Sequence, residues 1–159
     1  MLKAIKLQKS VLSSLGFTYD KDSIDESFSE NVEIQKIGDD TFYQDIASGN
    51  IAFEIHGMGV QGPIDGMVAL TPDLQKIHGI SIVHQEETPG LGGRIAEAEF
   101  LDRFKGKIIT KGLFILPPGK AHADNEVHGI TGATFSCNAF EEILNNEIKR
   151  YVAMIEESK

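Results

Sequence analysis

Five successive segments between residues 32 and 85 constrain the fold most strongly. "VEIQKI", "TFYQDIA", "NIAFEIHG", "DGMVALTP" and "KIHGISIVHQ" alternate polar and apolar residues, or run apolar, over strand lengths. Turn residues part them: "GDD", "SGN" and the pair Pro72-Asp73. Successive side chains of a strand point to opposite faces, so this spacing predicts a β-meander.

The flanks read as helices. In "KAIKLQKSVLSSL", residues 3–15, Ala4, Leu7, Val11 and Leu15 fall on one face, and Gly16 is placed to end the helix. The acidic stretch around "DESFSE" suggests a short second helix. "GGRIAEAEFLDRFKG" returns to helical period, with Ile95, Phe100, Leu101 and Phe104 expected in the core. "GLFILPPGK" is a short apolar strand closed by two prolines. The last helix is the clearest element: Phe140, Ile143, Leu144, Ile148, Tyr151, Val152 and Ile155 follow at helical steps, with Glu141 and Glu142 early and Lys149 and Arg150 late, as a helix dipole prefers. Helices flanking a mostly antiparallel sheet give the class α+β, in one domain without internal repeats.

Composition narrows the function. A formal net charge of −9 argues against nucleic-acid binding. One cysteine, Cys137, rules out an intrachain disulfide and a cysteine metal cluster. No apolar run approaches the ~20 residues of a membrane span. Lys3, Lys6 and Lys9 interrupt any signal-peptide pattern at the start. The histidines His56, His78, His84, His122 and His128 show no paired metal-ligand spacing. The pairs Asp39–Asp40 and Glu156–Glu157 read as solvated surface.

Three glycine-rich stretches carry the chemistry. "GMGVQG", residues 57–62, matches G-x-G-x-x-G, but Pro63, Gly66 and a strand-like run follow where a dinucleotide site needs a helix. It reads as a glycine-rich β-turn, or as a loop open to a flat ligand. "HQEETPGLGG", residues 84–93, is a stiff and then open loop between strand and helix. "GITGATFS", residues 129–136, places Thr131, Gly132, Ala133, Thr134 and Ser136 where the last helix begins. The first N–H groups of a helix lack internal partners, so this is either a cap or a phosphate seat.

Taken together, "TGAT" before a helix, "ETPGLGG" before another and "GPIDGMVAL" before a strand resemble a known family. It is the FMN-binding domain of the C subunit of the sodium-translocating NADH:quinone reductase (Nqr) and of the G subunit of the Rnf ferredoxin:NAD oxidoreductase. The resemblance spans roughly residues 50–155. It implies an electron-carrying flavoprotein whose FMN is joined by a phosphoester to a threonine, here Thr134, with Thr131, Gly132 and Ala133 matching the residues before it. It further implies an isoalloxazine near Glu87, Thr88, Pro89, Gly90, Leu91 and Gly92, bordered by the turn from Gly62 through Ile64 and Asp65 to Gly66. The attachment motif begins with aspartate in the family; His128 stands there in this chain.

The partners the resemblance implies are the other subunits of a membrane redox complex and a flavin transferase. The segment "LQKSVLSSLGF" is similar to the stretch just beyond the C subunit's membrane helix, so an upstream anchor and an extracytoplasmic location are expected. Residues 1–31 then form an N-terminal helical segment and 32–159 the FMN-binding domain. Two other readings stay open at this point: a soluble FMN-dependent reductase with its own substrate, and a non-redox module in which "TGAT" only caps a helix.

Overall fold

The computed structural model describes residues 4–159; Lys3, at the start of the expected first helix, lies outside the described residues. Strands β1 (Val32–Ile37), β2 (Asp40–Asp45), β3 (Ile51–Met58), β4 (Pro63–Leu70) and β5 (Ile77–His84) form one antiparallel sheet in sequential order. This is the meander that the alternation predicts. Phe53, Ile55, Ile64, Val68 and Leu70 point to one face, where helix α4 (Thr134–Glu157) lies. Ala52, Met67 and Ala69 point to the other, beneath α1 (Ala4–Leu15) and α2 (Ile24–Asn31). With both faces covered, the centre of β4 is buried throughout. On the α4 side the Phe53 ring stacks on Tyr151 at 4.2 Å between centroids.

The first helix is fixed by a close approach. A Cβ on Gly79 would overlap the Ser14 carbonyl, and a His78 ring nitrogen lies 2.9 Å from the Leu15 carbonyl. The end of α1 therefore sits at the start of β5. Its earlier residues Lys6, Lys9 and Ser10 share a surface hollow with Ser81, Ile82 and Val83. The first turn of α1 thus lies at the same end of the sheet as the β3–β4 hairpin. Contact with the sheet falls on the later turns, so the buried stripe is Ser10, Val11, Leu12, Ser14 and Leu15, while Ala4, expected on that face, is exposed.

Two further expectations change. Residues 92–106 do not form one helix. A 3₁₀ turn at Gly92–Ala96 is broken by Glu97 in extended conformation (φ −75°, ψ 141°), followed by a single turn α3 (Ala98–Leu101) and a 3₁₀ turn at Asp102–Phe104. The break re-aims the chain so that Ile95, Phe100, Leu101 and Phe104 are all buried, with Phe100 and Phe104 in contact with the Phe140 ring.

The charges of α4 also serve another purpose. The helix runs on to Glu157, so Lys149 and Arg150 lie short of its last turn, and neither terminal turn carries a charge that favours the dipole. Arg150 instead lies over the Tyr151 ring and pairs with Glu147 at 3.2 Å and with Asp40 at 2.9 Å, so Asp40 is more than solvated surface. Beyond the main sheet, β6 (Phe114–Leu116) and β7 (Glu126–His128) pair in parallel and lead the chain into the start of α4.

Candidate functional site

The three glycine-rich stretches meet at one buried carboxylate. Glu87 is 3% exposed. Its Oε1 accepts from the Val60 N–H at 2.9 Å and from the Ser136 hydroxyl at 2.8 Å, and its Oε2 accepts from the Gln61 N–H at 2.8 Å. Its own N–H donates to the Gln85 side chain at 2.8 Å. Burial pushes this carboxyl up, but the bonds from Gln61, Val60 and Ser136 outweigh it and hold Glu87 below its ordinary value.

This carboxylate explains the glycines around it. "GMGVQG" is the turn of the β3–β4 hairpin, closed by the Gly59 N–H donating to the Gly62 carbonyl at 2.8 Å. It opens no helix, so the dinucleotide reading falls. A Cβ on Gly59 would come within 2.9 Å of the Glu87 carboxyl, and one on Gly62 within 2.9 Å of Glu86. A Cβ on Gly92 would overlap the Ser136 hydroxyl. The missing side chains admit neighbouring side chains.

The loop after β5 forms the rim. The Thr88 carbonyl accepts from Leu91 N–H at 3.1 Å and Gly93 N–H at 2.9 Å, which leaves Thr88, Pro89, Gly90 and Leu91 exposed. Leu91 leans on the next loop: a Cβ on Gly132 would meet its Cδ2 at 3.3 Å. Gly132 holds φ +80°, which turns the chain into α4.

The start of α4 has no side-chain cap. Its N-cap is Ala133, with no capping hydrogen bond from a side chain. Thr131 and Thr134 are exposed and line a cleft of about 230 Å³ with Gly132, Leu116, Pro117 and Pro118. Ser136 turns inward to Glu87 instead. Cys137 lies at the inner wall, its thiol pushed up by burial. The donor set suits a phosphate ester: free helix N–H groups, two hydroxyls and a close-approach glycine. For a flat ring, the joined segments expose apolar side chains, Val60, Leu91 and Phe135, the last 77% exposed. The residues present therefore fit FMN.

Other predicted residues lie elsewhere. Ile64 is fully buried on the α4 side of the sheet. Asp65, next in sequence, faces the other side and bonds the His56 ring. His128, at the motif's aspartate position, accepts from the Gly119 N–H through Nδ1 at 3.0 Å and so holds the Pro117–Pro118 turn. A larger cavity, about 540 Å³, lies at the other end of the domain among Leu74, Ile109, Ile148 and Val152, and none of the predicted residues lines it.

Sequence reasoning missed Arg103. Its guanidinium donates to the carbonyls of His128 at 2.9 Å and Gly129 at 3.0 Å, and pairs with Glu99. It brings a cation behind the "TGAT" loop, where the chain between Lys120 and Lys149 has no Lys or Arg of its own. Only the Glu99–Arg103 spacing is visible locally; its carbonyl partners are about 25 residues away.

Known proteins resemble this arrangement. A profile described as the FMN-binding domain matches residues 59–149, more than half of the chain. The C subunit of the Na(+)-translocating NADH-quinone reductase of Chlamydia trachomatis is 30% identical over 127 residues, covering 67% of this chain and 40% of that protein. The G subunit of the Na(+)-translocating ferredoxin:NAD(+) oxidoreductase complex of Acetobacterium woodii is 31% identical over 93 residues, covering 58% and 44%. The chain thus spans less than half the length of these relatives. The crystal structure of the C subunit of the Na(+)-translocating NADH-quinone reductase from Parabacteroides distasonis superposes with a TM-score of 0.83 at 25% identity, covering 94% of this chain and 91% of that one. No helix among the described residues is long and apolar enough to cross a membrane.

Proposed function

Because this chain belongs to the FMN-binding domain family, we propose that it is the FMN-carrying electron-transfer subunit of a membrane redox complex of the Nqr or Rnf type. FMN supplies the redox chemistry, accepting and releasing electrons one or two at a time. The chain's own residues bind and orient it. The observation that carries the reading is the uncapped start of α4 at a cleft lined by Thr131 and Thr134. The N–H groups of the first turn and the two hydroxyls hold the phosphate, and the helix dipole favours its charge. Pro117 and Pro118 wall the cleft. Leu91 and Phe135 offer the ring an apolar bed and keep water from that side.

Thr134 is proposed as the attachment point. Its exposed hydroxyl stands at the first helical position. In the ester its oxygen bonds the flavin phosphorus, the hydroxyl proton is lost, and a P–O bond of the flavin donor breaks to release the group that phosphorus carried. The ester lowers the negative charge of the FMN phosphate by about one, beside a chain of net charge −9, and prevents loss of the cofactor. A flavin transferase would supply it. The flavin-carrying region is proposed to extend over residues 32–159, with 1–31 leading from an upstream anchor on the extracytoplasmic face. The first turn of α1 lies at the hairpin end of the sheet, so such an anchor would hold the cofactor end toward the membrane. The two other readings gain nothing here: residues 57–62 turn a hairpin, and the "TGAT" hydroxyls do not cap α4.

Intact mass of the chain after co-expression with a flavin transferase, followed by digestion and chromatography of the released cofactor, tests the proposal. FMN is expected. Recovery of FAD, or of no flavin, contradicts it.

A further inference from the structure

Glu87 is buried more deeply than any acidic neighbour in the site, yet no part of it faces the cleft. All three bonds to its carboxylate run to protein, and they join two parts of the site. Val60 and Gln61 belong to the hairpin that exposes the apolar side chains Met58 and Val60. Ser136 belongs to the first turn of α4, whose N–H groups line the proposed phosphate seat. The loop that Glu87 itself begins carries Leu91 onto Gly132. The glycines at 59 and 92 leave room for this carboxylate and for the hydroxyl it binds.

We propose that Glu87 is the positioning residue of the cofactor site: its carboxylate latches the β3–β4 hairpin to the first turn of α4 and so fixes the spacing between the two walls that receive FMN. This rests on the reading of the site given under Proposed function. A carboxylate is suited to the task because it is acceptor-only and can take three donors at once, two of them backbone N–H groups that bond no other backbone group among the described residues. Glutamine cannot replace it. If its oxygen keeps Val60 and Ser136, its amide NH2 confronts the Gln61 N–H, donor against donor. The segments that meet here, residues 59–62, 84–92 and 134–137, contain no other charged or titratable groups than His84 and Glu86, which pair with each other at 3.0 Å on the surface, and the buried Cys137 thiol.

The test uses the chain without flavin transferase, in three forms: wild type, Glu87→Gln and Ser136→Ala. Amide hydrogen exchange is measured first. The latch requires faster exchange at Gln61 in Glu87→Gln, and in Ser136→Ala a change confined to the α4 first turn. Unchanged exchange in both overturns it. FMN is then titrated by its fluorescence. The expected loss of affinity is about tenfold in Glu87→Gln and smaller in Ser136→Ala. Wild-type affinity is expected to fall as pH drops below the usual carboxylate range, and Glu87→Gln to lack that acid limb. Full affinity in Glu87→Gln, or a weakened variant that keeps the acid limb, refutes positioning. A wild-type chain that binds no FMN refutes the underlying site reading, whatever the exchange data show of the latch.

Discussion

Gly92→Ala is the substitution whose cost follows most directly from the structure. The new methyl would lie 2.9 Å from both the Ser136 Cβ and the Glu87 Cβ, and nearer still to the Ser136 hydroxyl. Ordinary contact begins near 3.4 Å, so the two carbon contacts must each open by about 0.5 Å. A rotation of the serine side chain relieves the hydroxyl but not its Cβ, and it sacrifices the bond to Glu87. Overpacking of this kind costs about 1–3 kcal/mol. The lost bond to a carboxylate costs about 1.5–3 kcal/mol. Reduced freedom of the unfolded chain returns up to about 1 kcal/mol. The net expectation is a destabilisation of about 3 kcal/mol, or a fall of about 6–12 °C in Tm for a chain of this size. Urea unfolding of Gly92→Ala, Ser136→Ala and the double mutant closes a cycle. Ser136→Ala alone should destabilise by about 1.5–3 kcal/mol, yet be neutral or stabilising in the Gly92→Ala background. Equal effects of Ser136→Ala in both backgrounds would refute the reasoning, as would a Gly92→Ala variant as stable as wild type.

Thr134→Ala should abolish an FMN-sized mass addition after co-expression with a flavin transferase, whereas Thr131→Ala should retain it; retention in Thr134→Ala would place the ester elsewhere. His128→Asp should raise the yield of that adduct, measured by intact mass, and an unchanged yield would show that this position does not limit attachment. Arg103→Ala removes two donors from the carbonyls of His128 and Gly129, and a loss of about 1–2 kcal/mol in urea unfolding is expected, with Arg103→Lys recovering only part of it. Tyr43 is pushed up from 10.0 to about 12, mainly by burial. The folded state therefore holds this proton more tightly than the unfolded one, and its contribution, at most about 3 kcal/mol, is complete below pH 10 and lost toward pH 12. Tyr43→Phe should remove that alkaline step from the stability profile.

The main sheet was legible because its residues state their own pairing. Period-two alternation and five strands with short turns leave little choice but a meander, and Phe53 and Ile55 declare the face that α4 covers. The core of α4 was equally plain, since seven apolar residues at helical steps need a partner surface. Illegible were the features decided by partners distant in sequence. Nothing near Glu87 announces that its carboxylate will meet Val60 and Ser136, 27 and 49 residues away. The glycines of "GMGVQG" and "ETPGLGG" look like openings for a ligand, yet Gly59 and Gly92 lack side chains because Glu87 and Ser136 fill the space. Arg103 was hidden for the same reason, as was the break at Glu97, which depends on where Phe100 and Phe104 must go to reach Phe140.

The phosphate end of FMN is expected at the uncapped start of α4, although a cavity of about 540 Å³ lies elsewhere in the domain. Backbone amide chemical shifts of the isotope-labelled chain, recorded as FMN is added, test it most directly. The largest changes are predicted at Gly132, Thr134, Phe135 and Ser136, with a second group at Leu91 and Gly92. Changes centred on Leu74, Ile109, Ile148 and Val152, with the start of α4 unmoved, would contradict it.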